Sequence, residues 1–448
     1  MIEKYDVIVV GGGPAGMTAA SRIKRLKPSA RVAVFERSGY VSYAPCGLPY
    51  YLGGFAESID QLVHYTVDVF RKRGIDVYTH AEVVEVAQGY ARVRVGSEER
   101  AFEWGKLILA TGARPRLPPI KGLDLEGVFT LRTLEDGERA KRGIRDARRV
   151  AVIGGGYIGL ELAENLKRAG KEVVVFEVLP HVMPALDPDV AALIEEELTR
   201  NGVELHLGEG VREIAGATKV ETVVTDEGEY RVEAVFVATG VAPETELAKQ
   251  LGAKLGPTGA VQVNRRMETS VEGVYAAGDV AEAINLVTGK PDWFPLAPIA
   301  NKMGYVAGAN ATGLSAEFPG AVGTAITKIF GFEVGRTGLT EERARKEGFD
   351  PVSVKVETVT RPRYYPGGSR ITVKLIADRG SGRLLGGQIV GGEGVLARVN
   401  ALAILLAKGG TVEDLFSADL AYAPPFAPVW DPLVVAARVM MRELGGAE

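Results

Sequence analysis

The first strong feature of the chain is a short apolar run, Val7-Ile8-Val9-Val10, followed at once by Gly11-Gly12-Gly13-Pro14-Ala15-Gly16 and then a helix-like stretch from Met17 to Leu26. A second apolar run, Arg31-Val32-Ala33-Val34-Phe35, ends on Glu36, 20 residues past Gly16. Four-residue apolar runs bounded by glycine predict strands buried on both faces, as in a parallel sheet. The pattern returns about 140 residues later, as Val150-Ala151-Val152-Ile153, Gly154-Gly155-Gly156-Tyr157-Ile158-Gly159, a helix through Arg168, and Val173-Val174-Val175-Phe176 closing on Glu177. Leu107-Ile108-Leu109-Ala110-Thr111-Gly112 and Val235-Phe236-Val237-Ala238-Thr239-Gly240 form another pair of apolar strands, each ending in Ala-Thr-Gly. Gly273-Val274-Tyr275-Ala276-Ala277-Gly278-Asp279 brings an aspartate onto a glycine turn.

Beyond about residue 326 the period changes. Ile371 to Ile376 and Leu384 to Val390 read as strands joined through Asp378-Arg379-Gly380-Ser381-Gly382, a hairpin signal, and a helix with a long apolar face follows from Val395 to Lys408.

Strand, G-x-G-x-x-G, helix, strand, acid is the pattern of a dinucleotide site. The glycines make the turn and admit the pyrophosphate, the helix N-terminus faces the phosphates, and Glu36 or Glu177 can accept from a ribose hydroxyl. Any one of these glycine runs is also compatible with an ordinary structural turn. Two complete copies imply two dinucleotides and a relay between them. The 448-residue length suits about three domains, and 46% hydrophobic with 25% charged residues is the balance of a globular protein. A net charge of −4 gives no reason to expect nucleic acid, and no apolar run reaches the length that spans a bilayer. The start, Met1 to Asp6, has no basic and apolar leader pattern, so a cytoplasmic location is expected.

In this order, the segments resemble the two-dinucleotide-binding-domain flavoproteins, the pyridine nucleotide–disulfide oxidoreductases. The resemblance implies an α/β chain with two Rossmann-like dinucleotide-binding domains and a C-terminal α+β dimerisation domain. The expected division is an FAD domain of residues 1–115 and 245–325, an NAD(P)H domain of 116–244, and a dimerisation domain of 326–448. It implies FAD on Gly11, Gly13, Pro14, Ala15, Gly16, Glu36 and Arg37, with Ala110, Thr111, Gly112, Arg132, Gly278, Asp279, Leu296 and Ala297. It implies NADH, with NADPH admitted, on Gly154, Gly156, Tyr157, Ile158, Gly159, Glu161, Glu177 and Gly240. Glu177 facing a 2′-phosphate, with no cation in Val178-Leu179-Pro180, favours NADH.

The chain has a single cysteine, Cys46, in Val41-Ser42-Tyr43-Ala44-Pro45-Cys46-Gly47-Leu48-Pro49-Tyr50. Pro49 suits a first helical turn, so Cys46 is expected at or near a helix N-terminus, where thiolate is favoured. A lone cysteine is otherwise often a small buried hydrophobe. Family members of the glutathione-reductase type carry a second cysteine five residues on, where this chain has Tyr51, and a C-terminal histidine, whereas the last histidine here is His206. The segment around Cys46, Arg363-Tyr364-Tyr365-Pro366-Gly367 and the run from Asp419 to Pro432 resemble the single-cysteine branch, which contains coenzyme A–disulfide reductase and related NADH oxidases and polysulfide reductases.

That resemblance implies catalysis by Cys46 as a mixed disulfide with a small thiol, in a homodimer whose sites are completed in trans by Tyr364 and Tyr422, with Tyr365 the alternative to Tyr364. Thr18, Arg22 and Arg25 share one helix face, which is either a solvated basic face or, as in that branch, the contact for coenzyme A phosphates. Ser42, Lys302 and Trp430 complete the substrate-binding expectation. The expected partners are a small-molecule disulfide and a second copy of the chain, without nucleic acid or membrane. The competing readings are an NADH oxidase or peroxidase that cycles Cys46 through sulfenic acid, and a redox-sensing flavoprotein without turnover.

Overall fold

The computed structural model describes residues 2–445, so Met1 and the last three residues of the expected dimerisation domain lie outside the described residues. The first apolar runs form a seven-stranded sheet. In it Ile75–Tyr78, Val32–Phe35, Glu3–Val10, Glu98–Leu109 and Val274–Ala276 run parallel, and Tyr90–Val95 and Ala81–Ala87 continue antiparallel from Glu98–Leu109. Every side chain of Val32–Phe35 is buried, as expected for a strand covered on both faces. Because Val274–Ala276 joins this sheet, the chain returns to its first unit after building another.

That second unit is a five-stranded parallel sheet ordered Glu204–Leu207, Glu172–Glu177, Arg149–Ile153, Ala234–Val237 and Val128–Phe129. The outgoing and returning connections, Ala113–Pro115 and Val241–Pro243, pair antiparallel with one another. A third, antiparallel sheet follows in the order Ala325–Ile329, Phe332–Gly338, Leu384–Gly391, Arg370–Asp378 and Pro351–Val359. The anticipated hairpin of Ile371 to Val390 is its centre, and the Val395–Ala407 helix packs on it.

The first helix differs from expectation by beginning at Pro14 and running to Leu26. Pro14 needs no N–H at that position, and its φ is already helical. This helix lies against Ala297–Ala311, where Gly304 and Gly308 leave no room for a Cβ beside the carbonyls of Ala15 and Ala19.

One buried lysine joins the second unit to the third. Lys374 Nζ lies 2.7 Å from Asp189, 2.6 Å from Glu341 and 3.3 Å from Asp187, the N-cap residue of the Pro188–Arg200 helix. Gln388 also exchanges hydrogen bonds of 2.8 and 2.7 Å with Asp187. Burial opposes charge on Glu341, but the hydrogen bonds of Lys374 and Ser353 outweigh it and hold the carboxyl at about 2. Asp189 is lowered in the same way, by Lys374 against its burial. Depressed carboxylates stabilise the fold above their ordinary range and lose that contribution as pH falls through their folded values. Lys374→Met should therefore cost about 3–5 kcal/mol at pH 7 by stranding buried carboxylates, and the deficit against wild type should shrink as pH falls toward 2. Denaturant unfolding across pH checks this, and an equal deficit at every pH would contradict it.

Candidate active site

The two glycine loops have the same construction. Gly11 and Gly154 hold φ of +109° and +111°, and a Cβ on either would meet the carbonyl of Ala110 or Ala238. Gly16 and Gly159 press against the carbonyls of Gly11 and Gly154, whereas a Cβ on Gly13 or Gly156 would touch nothing. The open third glycine is where a ligand can approach the backbone. Gly13 and Gly156 are also the N-caps of their helices and offer no side-chain cap, so the first-turn N–H groups remain available to an anion. Gly12 donates to Glu36 at 2.7 Å and Gly155 to Glu177 at 2.6 Å, while Ser38 and Leu179 each donate to the other carboxylate oxygen at 2.8 Å. Each acid thus anchors its loop and still has acceptor capacity for a ribose hydroxyl.

From the first loop runs a cavity of about 490 Å³. It is lined by Gly11, Gly13, Pro14, Ala15, Glu36, Arg37, Ala110, Thr111, Gly112, Arg132, Gly278, Asp279 and Ala297, and Cys46 lies on its wall. Asp279 is held by Arg132 at 3.3 Å, and its carbonyl accepts from Trp293 at 2.7 Å. Arg132 in turn precedes a Thr133 capping box that anchors its backbone. The residues present fit a dinucleotide, with an open glycine, free helix N–H groups, an acid and a cysteine lining the same cavity. Gly16 lies beneath the loop rather than on the cavity, and Leu296 caps the Ala297–Ala311 helix without being on the wall.

Cys46 occupies a single 3₁₀ turn, Pro45–Gly47, just ahead of the five-residue Leu48–Leu52 helix. The position matches expectation, but the thiolate preference does not. Although the Cys46 side chain is exposed on the cavity wall, desolvation by the protein packed around it, then the charges of Glu161 and Asp279, push the thiol up, and Arg132 only partly offsets them. Two nearby carboxylates and desolvation outweigh the dipole of a single short helix. The loop is fixed from behind. Ser42, at φ +52°, donates to Gly12 at 2.9 Å and accepts from His64 at 2.8 Å, so it supports the glycine loop.

At the second loop Tyr157 accepts from Arg336 of the third sheet at 3.2 Å, and Ile158 is partly exposed beside it. Glu161 accepts from Thr327 at 2.6 Å. Gly240 takes φ +95° and its carbonyl accepts from Arg116 at 2.9 Å. On the first helix Thr18 donates to Asn301 at 2.9 Å, and the Arg22 guanidinium lies 4.1 Å from the Tyr305 ring centre with its Nε unpartnered. Arg25 and Lys302 are exposed on these same two helices.

The third sheet's unit carries the remaining expected residues, and none of them lines the Cys46 cavity within the chain. Tyr364 and Tyr422 are exposed, and the neighbouring Tyr364 raises the Tyr422 hydroxyl. Trp430 stacks on Phe416 at 6.2 Å, with Arg438 over its ring. Sequence reasoning did not single out Tyr43, which lines the cavity, or Tyr50 and Thr327, which sit by Glu161. Tyr50, four residues after Cys46 on the Leu48–Leu52 helix, could have been found by helical spacing, whereas Tyr43 lies ahead of that turn, bridged to Val63, and Thr327 carries no local signal.

Residues 5–304 match the family model described as pyridine nucleotide-disulphide oxidoreductase, and residues 324–433 match its dimerisation domain. The chain is 49% identical to the CoA-dependent NAD(P)H sulfur oxidoreductase of Pyrococcus furiosus, over 98% of this chain and all of that one. It is 38% identical to an NADH oxidase of Methanocaldococcus jannaschii, over 98% and 99% of the two chains. Among solved structures, an NAD-dependent persulfide reductase from A. fulgidus superposes with a TM-score of 0.95 at 40% identity, covering 98% of this chain and 83% of that one.

The raised thiol has a direct consequence. In protein stripped of bound cofactor, alkylation of Cys46 by iodoacetamide should be slow at pH 7 and reach half its maximal rate only above pH 9, and Arg132→Met should move the midpoint higher still. Intact-mass kinetics read this, and a rate already on its plateau at pH 7 would contradict it.

Proposed function

Since the chain belongs to the pyridine nucleotide-disulphide oxidoreductases, we propose that it uses NAD(P)H to reduce coenzyme A disulfide or a related polysulfide, with Cys46 cycling as a mixed disulfide. The family is one of FAD-dependent enzymes. What carries the finer reading is that the chain's one cysteine lies on the wall of the glycine-loop cavity, with no second cysteine anywhere and no histidine on that wall. The sulfur oxidised with Cys46 must then come from outside the chain.

When bound in the cavity, FAD supplies the two-electron connection between nicotinamide and sulfur. Two electrons from NAD(P)H cleave the Cys46–S–S–CoA bond. The freed Cys46 sulfur attacks the next disulfide, releases one coenzyme A thiol and restores the mixed disulfide. The balance is one disulfide, one NADH and one proton giving two thiols and NAD⁺. The Arg22 guanidinium over Tyr305, with Thr18 and Arg25 on the same helix and Lys302 across the helix pair, suits the phosphates at the far end of coenzyme A. Glu177 favours NADH, because a 2′-phosphate would meet a carboxylate already anchored by two backbone N–H groups.

The dimerisation domain supports a homodimer. Tyr364 and Tyr422 share the third unit with Phe426 and Val429, which are 76% and 71% exposed. A second copy of the chain covering these side chains would bring the tyrosine pair toward its own Cys46, where a hydroxyl can hold or protonate sulfur. The three sheets support division near residues 115, 244 and 325. No helix among the described residues is long and apolar enough to cross a membrane, and a cytoplasmic setting is part of the proposal.

The M. jannaschii relative favours a second reading, an NADH oxidase cycling through sulfenic acid. That cycle is best served by a histidine to manage peroxide protons, and none lines the cavity.

Cys46→Ser should lose disulfide and polysulfide turnover by at least about a hundredfold while still passing electrons from NADH to an artificial dye. Retained disulfide turnover would make the cysteine structural. Arg22→Ala should raise the KM for coenzyme A disulfide about tenfold or more, as for a lost charge-assisted hydrogen bond, with little effect on disulfides that lack phosphate. Equal effects on both substrates would remove the phosphate contact.

A further inference from the structure

The strands that end in Glu36 and Glu177 are tied to their neighbours in the same way. His80 and Ala81 donate to the carbonyls of Ser38 and Glu36 at 3.0 and 2.9 Å. Gly208 and Glu209 donate to those of Leu179 and Glu177 at 2.9 and 3.1 Å. His80 and Gly208 both take left-handed backbone to make the turn, with φ of +52° and +69°. The two ties differ in the side chain that follows. At the first loop it is Ala81, which carries no polar group.

At the second loop it is Glu209, which is buried, and three side chains converge on its carboxylate. His206 Nδ1 lies 2.7 Å from one oxygen, the Tyr230 hydroxyl donates to the other at 2.9 Å, and the Thr225 hydroxyl donates to that same oxygen. Thr225 and Tyr230 come from a hairpin of the small antiparallel sheet Val211–Ala215, Thr222–Thr225 and Glu229–Arg231. His206 lies on Glu204–Leu207, the strand paired with Glu172–Glu177. The His206 and Tyr230 rings both pack on Phe176, the buried residue just before Glu177, with ring centres 5.0 Å apart in each case. Burial opposes charge on Glu209, but the hydrogen bonds of Thr225, Tyr230 and His206 outweigh it and hold the carboxyl below its usual range.

We propose that Glu209 is a positioning residue for the choice of nicotinamide dinucleotide: held by His206, Thr225 and Tyr230, it keeps Glu177 from yielding to a 2′-phosphate. This rests on the assignment of Glu177 to the NADH ribose above and deepens it. A 2′-phosphate is admitted only if the Glu177 carboxylate withdraws. Rotating the side chain alone would strand the Gly155 and Leu179 N–H groups that it accepts from, so the segment from Glu177 to Leu179 has to shift as one piece. That shift stretches the hydrogen bonds from Gly208 and Glu209. The Glu209 side chain, fixed at its far end, stops their loop from following. The contrast with Ala81 fits the ligands of the two sites. Nicotinamide dinucleotides occur with and without a 2′-phosphate, so the second site has a discrimination to make, whereas FAD has no such twin.

The test is kcat/KM for NADPH relative to NADH, read by dye reduction in the FAD-loaded enzyme so that sulfur chemistry plays no part. Glu209→Ala should raise that ratio about tenfold, the scale of one lost charge-assisted hydrogen bond, through a lower KM for NADPH with kcat little changed. Tyr230→Phe, which loses one hydroxyl and keeps its ring on Phe176, should move the ratio part of the way. Glu209→Gln, which still accepts from both hydroxyls, should stay near wild type. Unchanged ratios in Glu209→Ala and Tyr230→Phe, equal losses with both dinucleotides included, would overturn the clamp alone, as would a Glu209→Gln ratio shifted as far as that of Glu209→Ala. If Glu209→Ala does not fold, Tyr230→Phe decides by the same criterion. An unchanged ratio in Glu177→Gln would instead overturn the underlying assignment of Glu177, and the clamp with it.

Discussion

At both glycine loops the start of a helix is pressed onto the end of a strand so closely that Gly16 and Gly159 cannot carry a side chain beside the carbonyls of Gly11 and Gly154. The rest of the site depends on this contact. It brings the uncapped helix N–H groups to the strand edge, leaves the third glycine open, and sets the loop within reach of Glu36 or Glu177. A methyl group at either position would push the helix back and separate all three features. The construction is local, which is why it repeats almost unchanged 143 residues apart.

Cys46 depends on a different kind of constraint, the meeting of separate units. Its turn is fixed from behind by Ser42 and Gly12, while the groups that set its charge come from elsewhere: Asp279 from the turn after the returning strand, Arg132 from the loop after the Val128–Phe129 strand of the second unit, and Glu161 from the second glycine-loop helix. Lys374 keeps the second and third units together and so keeps Thr327 against Glu161. A chain with a single cysteine thus surrounds its thiol with oxygen acids and hydroxyls, and the mixed-disulfide cycle proposed above takes its second sulfur from an external thiol rather than from a second cysteine.

How much of this was legible in the sequence follows from that difference. The glycine loops, their acids and the strands around them were readable because each is encoded within about thirty consecutive residues whose order has one physical use. The early start of the first helix at Pro14 was missed by counting from the end of the glycines rather than from the proline. The thiolate expectation at Cys46 failed because a helix N-terminus is a local feature, whereas Glu161 and Asp279 lie more than 100 residues away and only folding brings them near. Thr327 could not have been found at all, since it is an ordinary strand threonine until Glu161 is beside it. Tyr364 and Tyr422 were proposed as a pair by resemblance, and within one chain they are neighbours that stand apart from the Cys46 cavity.

The central claim is that the sulfur partner of Cys46 is a small thiol from outside the chain. The most direct measurement is the intact mass of the protein purified without reductant, followed by peptide mapping around Cys46. The account predicts an adduct of one coenzyme A, less two hydrogens, on the peptide containing Cys46, released by dithiothreitol in step with recovery of a free thiol. Cys46 carrying only added oxygen, or remaining a free thiol after exposure to coenzyme A disulfide, would contradict it.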